Sequence, residues 1–171
     1  MKNIELLDGA MGSEFIKRGI SLPNHIWSAH LNLEASEIIH KIHKEYLDAG
    51  ADYLTTNTFR STPRAYSKIG LSIKEATKSA ELSLKSAIKI AKNTANKNTK
   101  ILGSIAPLED CYTPSLFPGV DTAKKEFREL GKWFNEENID IFLLDTMNNL
   151  EETIPAIDAI KDFNIPTWVS F

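Results

Sequence analysis

One cysteine, Cys111, is all that this chain of 171 residues contains. A single thiol forms no intrachain disulfide and cannot alone build a cysteine-rich metal site. No apolar run approaches the roughly 20 residues that a membrane span requires. Positive charge is not in excess, since 20 Lys plus Arg face 23 Asp plus Glu for a net charge of −3. Neither a nucleic acid nor a membrane is therefore expected as partner. Phosphate-cradling loops are also missing. Gly9-Ala10-Met11-Gly12 is not a G-x-G-x-x-G turn, and no Walker motif occurs. Residues 1–8 lack the apolar stretch of a signal peptide and carry two acids. The expected location is the cytoplasm.

What is present is an alternation of short apolar runs and longer helical patterns. With 42% apolar and 25% charged residues, the composition is that of one globular domain or part of one. Strands are expected at residues 4–7, 51–56, 101–105, 139–144 and 166–171. Helices are expected at residues 36–49, from 73 onward, from about 121, and at about 150–163. Ile38, Ile39, Ile42, Tyr46 and Ala49 recur at helical spacing. Ser72-Ile73-Lys74-Glu75 reads as a capping box. Asp121 is expected to cap the third helix, and Pro155 makes the start of the fourth uncertain. Pro107, Pro114 and Pro118 mark a long loop at 106–120.

Strict alternation of strand and helix argues for a parallel sheet. Two architectures fit: a complete doubly wound sheet of five strands, or the first half of a (β/α)8 barrel, which needs about 250 residues. In both, working groups sit at the carboxyl ends of strands. Those ends carry Asp8, Thr55-Thr56-Asn57, Ser104, Asp145-Thr146 and Ser170. Two carboxylates at one mouth can bind an ammonium group or act as acid and base. Each could equally cap a loop or helix. His40 and His43, three apart on a helix expected to lie outside, are read as structural or solvated. His25 and His30 flank Trp27, which is either loop packing or a pocket wall. Cys111 has no base beside it in sequence and is read as an inert thiol.

The segments at these positions resemble one family. Leu7-Asp8-Gly9-Ala10-Met11-Gly12-Ser13-Glu14 with Arg18-Gly19 resembles the opening of homocysteine S-methyltransferases. Trp27-Ser28-Ala29, the run from His43-Lys44-Glu45 through Gly50-Ala51-Asp52, Thr56-Asn57-Thr58-Phe59, and Gly103-Ser104-Ile105-Ala106-Pro107 continue the likeness in order. Asp145-Thr146-Met147 and Pro166-Thr167-Trp168-Val169-Ser170-Phe171 complete it. The stand-alone members look closest.

The resemblance implies an α/β fold that is the N-terminal half of a (β/α)8 TIM barrel. It would have about 4.5 βα units with parallel strands, residues 1–171 being an incomplete domain. It implies transfer of a methyl group from a small donor to the sulfur of homocysteine, giving methionine. It places Asp8, Gly9 and Ala10 at the amino-acid end of homocysteine. Asp145 falls where many members carry glutamate, and is one methylene shorter. Trp27, Thr56 and Asn57 fall toward the methyl donor, and Ser104 and Ser170 at neighbouring strand ends. A zinc ion is expected in a full-length member, held by cysteines beyond residue 171, with none in this chain. The chain alone is expected to be inactive and to self-associate through open sheet edges. The alternatives are a half-barrel that binds an amino acid or oligomerises without catalysis, and a barrel lyase using Asp8 and Asp145 with a Schiff-base lysine.

Overall fold

The computed structural model describes residues 4–171. Residues 1–3, part of the stretch read for a signal peptide, lie outside it. In chain order the elements are α1 (Met11–Lys17), α2 (Leu31–Glu34), α3 (Ser36–Asp48), β1 (Tyr53–Thr55), α4 (Pro63–Ser67) and α5 (Ile73–Thr94). They continue with β2 (Lys100–Ile105), a 3-10 turn (Pro114–Leu116), α6 (Val120–Glu136), β3 (Ile141–Leu144), α7 (Leu150–Ile160), a second 3-10 turn (Lys161–Phe163) and β4 (Thr167–Val169).

The four strands form one parallel sheet in the order β1-β2-β3-β4. A doubly wound sheet reverses strand order at a switch point. Here each strand pairs with the next in sequence, as in a barrel wall. This decides between the two architectures left open by the alternation. The strand expected at residues 4–7 is reduced to one parallel bridge, Leu7 to Tyr53. Side chains take over at its two ends. The Asp52 carboxylate accepts from the Leu6 N–H at 2.8 Å, and the Asp8 carboxylate accepts from the Thr55 N–H at 2.8 Å. Those N–H groups are thereby withdrawn from a regular ladder.

Pairing register sorts the strand residues onto two faces. Thr55, Leu102 and Ile141 share one row, and Ser104, Leu143 and Trp168 the next. On this face Tyr53, Leu102, Ile141 and Leu143 form a small buried cluster. The ring of Trp168 reaches that of Tyr53 at 5.1 Å between centroids. Contact between rings from the two outermost strands shows that this face is concave. The other face carries Leu54, Ile101, Ile105, Phe142 and Leu144 into the main core, against Leu84 and Ile88 of α5 and Phe127, Leu130 and Phe134 of α6.

The Ser72 capping box forms as the sequence predicts, with Ser72 Oγ accepting from the Glu75 N–H. Asp121 does not cap α6. Gly119, at φ +95°, holds that position and Asp121 lies in the first turn. A left-handed backbone there suits glycine, and the chain turns into the helix two residues before an Asp121 cap would place it. Pro155 lies inside α7 and is buried, which shows that burial against the core outweighs the lost backbone bond. His43 does not face solvent: it is fully buried, and neither ring nitrogen finds a partner. Burial, with the neighbouring His40 charge, pushes its pKa down to about 4, so it is a neutral core residue at pH 7. Among the described residues no helix is long and apolar enough to cross a membrane.

Candidate functional site

The carboxyl ends of β1, β2 and β3 and the turn before α1 enclose a cleft of about 450 Å³. It brings together eight of the nine residues singled out in sequence: Asp8, Gly9, Ala10, Trp27, Thr56, Asn57, Ser104 and Asp145. Ser170 is not among them. Its N–H donates to the Leu144 carbonyl at 2.9 Å and its carbonyl accepts from Met147 at 2.7 Å, which extends β4 past its last paired residue.

Asp8 is fixed by its neighbour across the sheet. One carboxylate oxygen accepts from the Thr55 N–H at 2.8 Å and the other from Thr55 Oγ1 at 2.7 Å. Burial raises its pKa to about 6 against these bonds, and the Asp145 charge adds to the rise. Asp8 is therefore largely ionised at pH 7 but strained by desolvation. Asp145 accepts from Ser104 Oγ at 3.1 Å and from Thr146 Oγ1 at 3.2 Å. Two anionic groups in one partly dry cleft favour a cationic guest such as an ammonium group. Gly9 lets the turn pack closely on Tyr46: a Cβ there would lie 2.6 Å from Tyr46 Oη and the ring would have to shift. Tyr46 Oη in turn donates to the Ala10 carbonyl at 3.3 Å.

Behind the cleft lies a buried polar network that the sequence did not reveal. Asn57 Nδ2 donates to the Ser28 carbonyl at 3.0 Å and to Asn32 Oδ1 at 2.8 Å. Ser28 Oγ donates to Asn57 Oδ1 at 2.6 Å. Asn32 Nδ2 donates to the Asn57 carbonyl and to Ser83 Oγ, both at 2.9 Å. The network ties the loop carrying Trp27 to the end of β1 and to α5. The local signal was weak, because Asn32 and Ser83 are ordinary helix residues that converge only in the fold.

Trp27 stacks on Phe59 at 5.5 Å with an interplanar angle of 12°. Its loop is held further by His30, whose Nδ1 lies 2.8 Å from the Trp27 carbonyl oxygen. The loop after β2 closes the opposite side. Asn148 Nδ2 donates to the Cys111 carbonyl at 2.5 Å, and buried Glu152 accepts from the Leu108 N–H at 2.7 Å. Cys111 and Tyr112 thereby reach the cleft wall. Burial pushes the Cys111 thiol up, against the nearby Arg60 charge, so it is a poor nucleophile. Among the described residues no three His, Cys, Asp or Glu side chains are grouped to hold a metal ion. Among the described residues no lysine lines the cleft, where the lyase alternative calls for a Schiff-base lysine.

A family model described as homocysteine S-methyltransferase matches residues 5–171. The chain is 30% identical to homocysteine S-methyltransferase YbgG of Bacillus subtilis, over 97% of this chain and 58% of that protein. It is 29% identical to homocysteine S-methyltransferase 2 of Arabidopsis thaliana, over 97% of this chain and 57% of that protein. The fold is similar to the crystal structure of the homocysteine methyltransferase MmuM from Escherichia coli in its metallated form. The TM-score is 0.86 at 24% identity, covering 99% of this chain and 63% of that one. The chain thus spans a little under 60% of the length of these curated relatives.

Proposed function

The chain belongs to the homocysteine S-methyltransferase family, and from that premise we propose that its cleft is the amino-acid half of a site that methylates homocysteine to methionine. The observation that carries the reading is the convergence of Asp8 and Asp145 on one cleft beside Trp27. The substrate ammonium lies between the two carboxylates. The Gly9-Ala10 turn, packed on Tyr46, supports the amino-acid end. A small methyl donor approaches from the side of Trp27 and Asn57. In the reaction the homocysteine thiol releases its proton to solvent, and a lone pair of the resulting thiolate sulfur attacks the donor methyl carbon in line. The new S–C bond forms as the bond from that carbon to the donor breaks, and the donor leaves with the electron pair.

A free thiol has a pKa of about 8.5 and is mostly protonated at pH 7. No residue of this cleft is placed as a thiol base, and the described residues do not fit a zinc ion: the single thiol, Cys111, stands without a grouped set of ligands. No step is therefore assigned to a metal on these residues. The 171 residues supply binding and orientation, and turnover by this chain alone is not expected. Asp145 reaches one methylene less far than glutamate, so Ser104 and Thr146, which already hold it, set its position.

The test is calorimetric titration at pH 7.5 with homocysteine and with 4-mercaptobutanoate, which lacks the ammonium group. A charge-assisted hydrogen bond contributes about 1.5–3 kcal/mol, so homocysteine is expected to bind roughly 10–100-fold more tightly. Equal affinity for the two thiols overturns the reading.

We also propose that the chain associates through its open sheet edges. β4 is paired on one side only, and Leu6, Leu7, Trp168 and Phe171 expose large apolar surfaces. Open apolar edges favour contact with further chain.

A further inference from the structure

Among the described residues, left-handed backbone falls at five positions that are not glycine: His25, Trp27, Asn138, Thr146 and Asn164. Thr146, at φ +57°, is the one β-branched side chain in that set. Two heavy atoms on Cβ make this conformation a steric outlier for threonine, whereas asparagine enters it readily and glycine without penalty. Such strain persists only where the surroundings over-determine it. Here they do. The Asp145 N–H donates to the Ile105 carbonyl at 2.8 Å, which ties it to β2. The Met147 N–H donates to the Ser170 carbonyl at 2.7 Å, just past β4, and the Met147 side chain is buried in the main core. With the residue on each side held by a different neighbouring strand, Thr146 takes the turn between them.

The turn also changes where the side chain goes. Successive residues of a strand point to opposite faces. Leu144 lies in the main core and Leu143 on the concave face. Asp145 therefore follows Leu143 toward the cleft, and a regular strand would send residue 146 after Leu144 into the core. The left-handed step instead leaves Thr146 half-buried in the cleft wall. Its Oγ1 donates to Asp145 Oδ1 at 3.2 Å, while Ser104 Oγ donates to Oδ2 at 3.1 Å. Each carboxylate oxygen thus has a donor of its own, and the plane of the group is fixed. Glycine or asparagine would make this turn at lower cost, but neither carries a hydroxyl.

We propose that Thr146 is a positioning residue that sets the specificity of the cleft: its strained backbone places a hydroxyl on Asp145 and locks that carboxylate for the substrate ammonium. This rests on the reading of the cleft as the amino-acid half of the site. A carboxylate held from both sides has little rotational freedom left to lose when the ammonium arrives. Released from Thr146, it turns about its last bond and meets the ammonium less often in the right direction. Strain stored in this way burdens the fold and serves the ligand, so stability and specificity separate on substitution.

Three variants separate the strain from the hydroxyl. Thr146→Val keeps the branched Cβ and loses the hydroxyl, Thr146→Ser keeps the hydroxyl and loses the branch, and Thr146→Gly loses both. Each is titrated by calorimetry at pH 7.5 with homocysteine and with 4-mercaptobutanoate, and is unfolded in urea. The ratio of the two affinities is the readout, since a merely structural change moves both together. The parent ratio of roughly 10–100 is expected to fall at least about fivefold in T146V and T146G, and to stay within about twofold of the parent in T146S. Affinity for 4-mercaptobutanoate should be the same in all four proteins. The urea midpoint is expected to rise in T146G and not in T146V. An undiminished ratio in T146V or T146G, or a ratio in T146S as low as in T146V, overturns the proposal. So does a T146G midpoint at or below that of the parent. If T146V does not fold by circular dichroism, T146S and T146G still decide it. A parent with no preference between the two thiols would sink the ammonium reading of the cleft, and the positioning role with it. A parent preference that survives unchanged in the variants would sink the positioning role alone.

Discussion

Replacing Asp8 by asparagine should strengthen the fold while disabling the site. The carboxylate is held at a pKa of about 6 against an ordinary 3.8, chiefly by burial. That is about 2 units, a ceiling of about 3 kcal/mol of strain when the group is ionised. Because folding raises this pKa, the stability that Asp8 contributes is complete below pH 3.8. It is lost as pH rises through about 6. Asparagine carries no charge to desolvate. It also keeps both contacts, since its oxygen can accept from the Thr55 N–H while its amide donates to Thr55 Oγ1, with the hydroxyl proton turned away. Urea denaturation of D8N and parent should therefore show D8N ahead by up to about 3 kcal/mol at pH 7.5 and by about half that at pH 5. Homocysteine affinity should fall by roughly 10–100-fold in the same variant. A D8N that is less stable than the parent at pH 7.5, or a gap that does not change with pH, would refute the reasoning about Asp8.

Asn57→Ala leaves Ser28 Oγ, the Ser28 carbonyl and Asn32 Oδ1 without the partners they have in the network. At about 1–3 kcal/mol for each stranded group, less whatever water recovers, the loss should be roughly 3–5 kcal/mol. Thermal and urea melts read this directly, and a cost below about 1 kcal/mol would show that the network is not coupled. Gly9→Ala drives a methyl group into the Tyr46 ring and should cost about 1–3 kcal/mol. Adding Tyr46→Ala to G9A should cost less than Tyr46→Ala does in the parent, and simple additivity of the two would count against the contact. Sedimentation velocity of the isolated chain should reveal dimers or larger species through the exposed edges of the sheet. A monodisperse monomer across the micromolar range would contradict the association proposal.

Much of the architecture was readable because the strong signals are local. The apolar runs at 101–105 and 139–144 and the helical spacing of α3 and α5 each sit within a few residues of the observed elements. Strand order was not local, and composition left a doubly wound sheet open. Only pairing of each strand with its sequence neighbour, seen in the register, excludes it. The segment at 4–7 looked like any short strand, and nothing local shows that Asp52 and Asp8 would divert its hydrogen bonds. The short helices α1, α2 and α4 have four to seven residues, too few for a hydrophobic period to register. At the site, residues at strand ends were legible because the fold class places them there. Thr146 was legible at its strand end, but its left-handed backbone was not, because that depends on where Ile105 and Ser170 hold its two neighbours. His43 was read as structural or solvated, and only the packing of α3 shows that the structural half of that reading holds for it.

Backbone amide chemical-shift mapping with homocysteine at pH 7.5 tests the central claim most directly. The account predicts saturable shifts confined to Gly9, Ala10, Thr55, Ser104 and Asp145 and their immediate neighbours, all of them around the first cleft, and abolished in D8N. Absence of saturable shifts at these positions, or a response centred elsewhere on the chain, would contradict it.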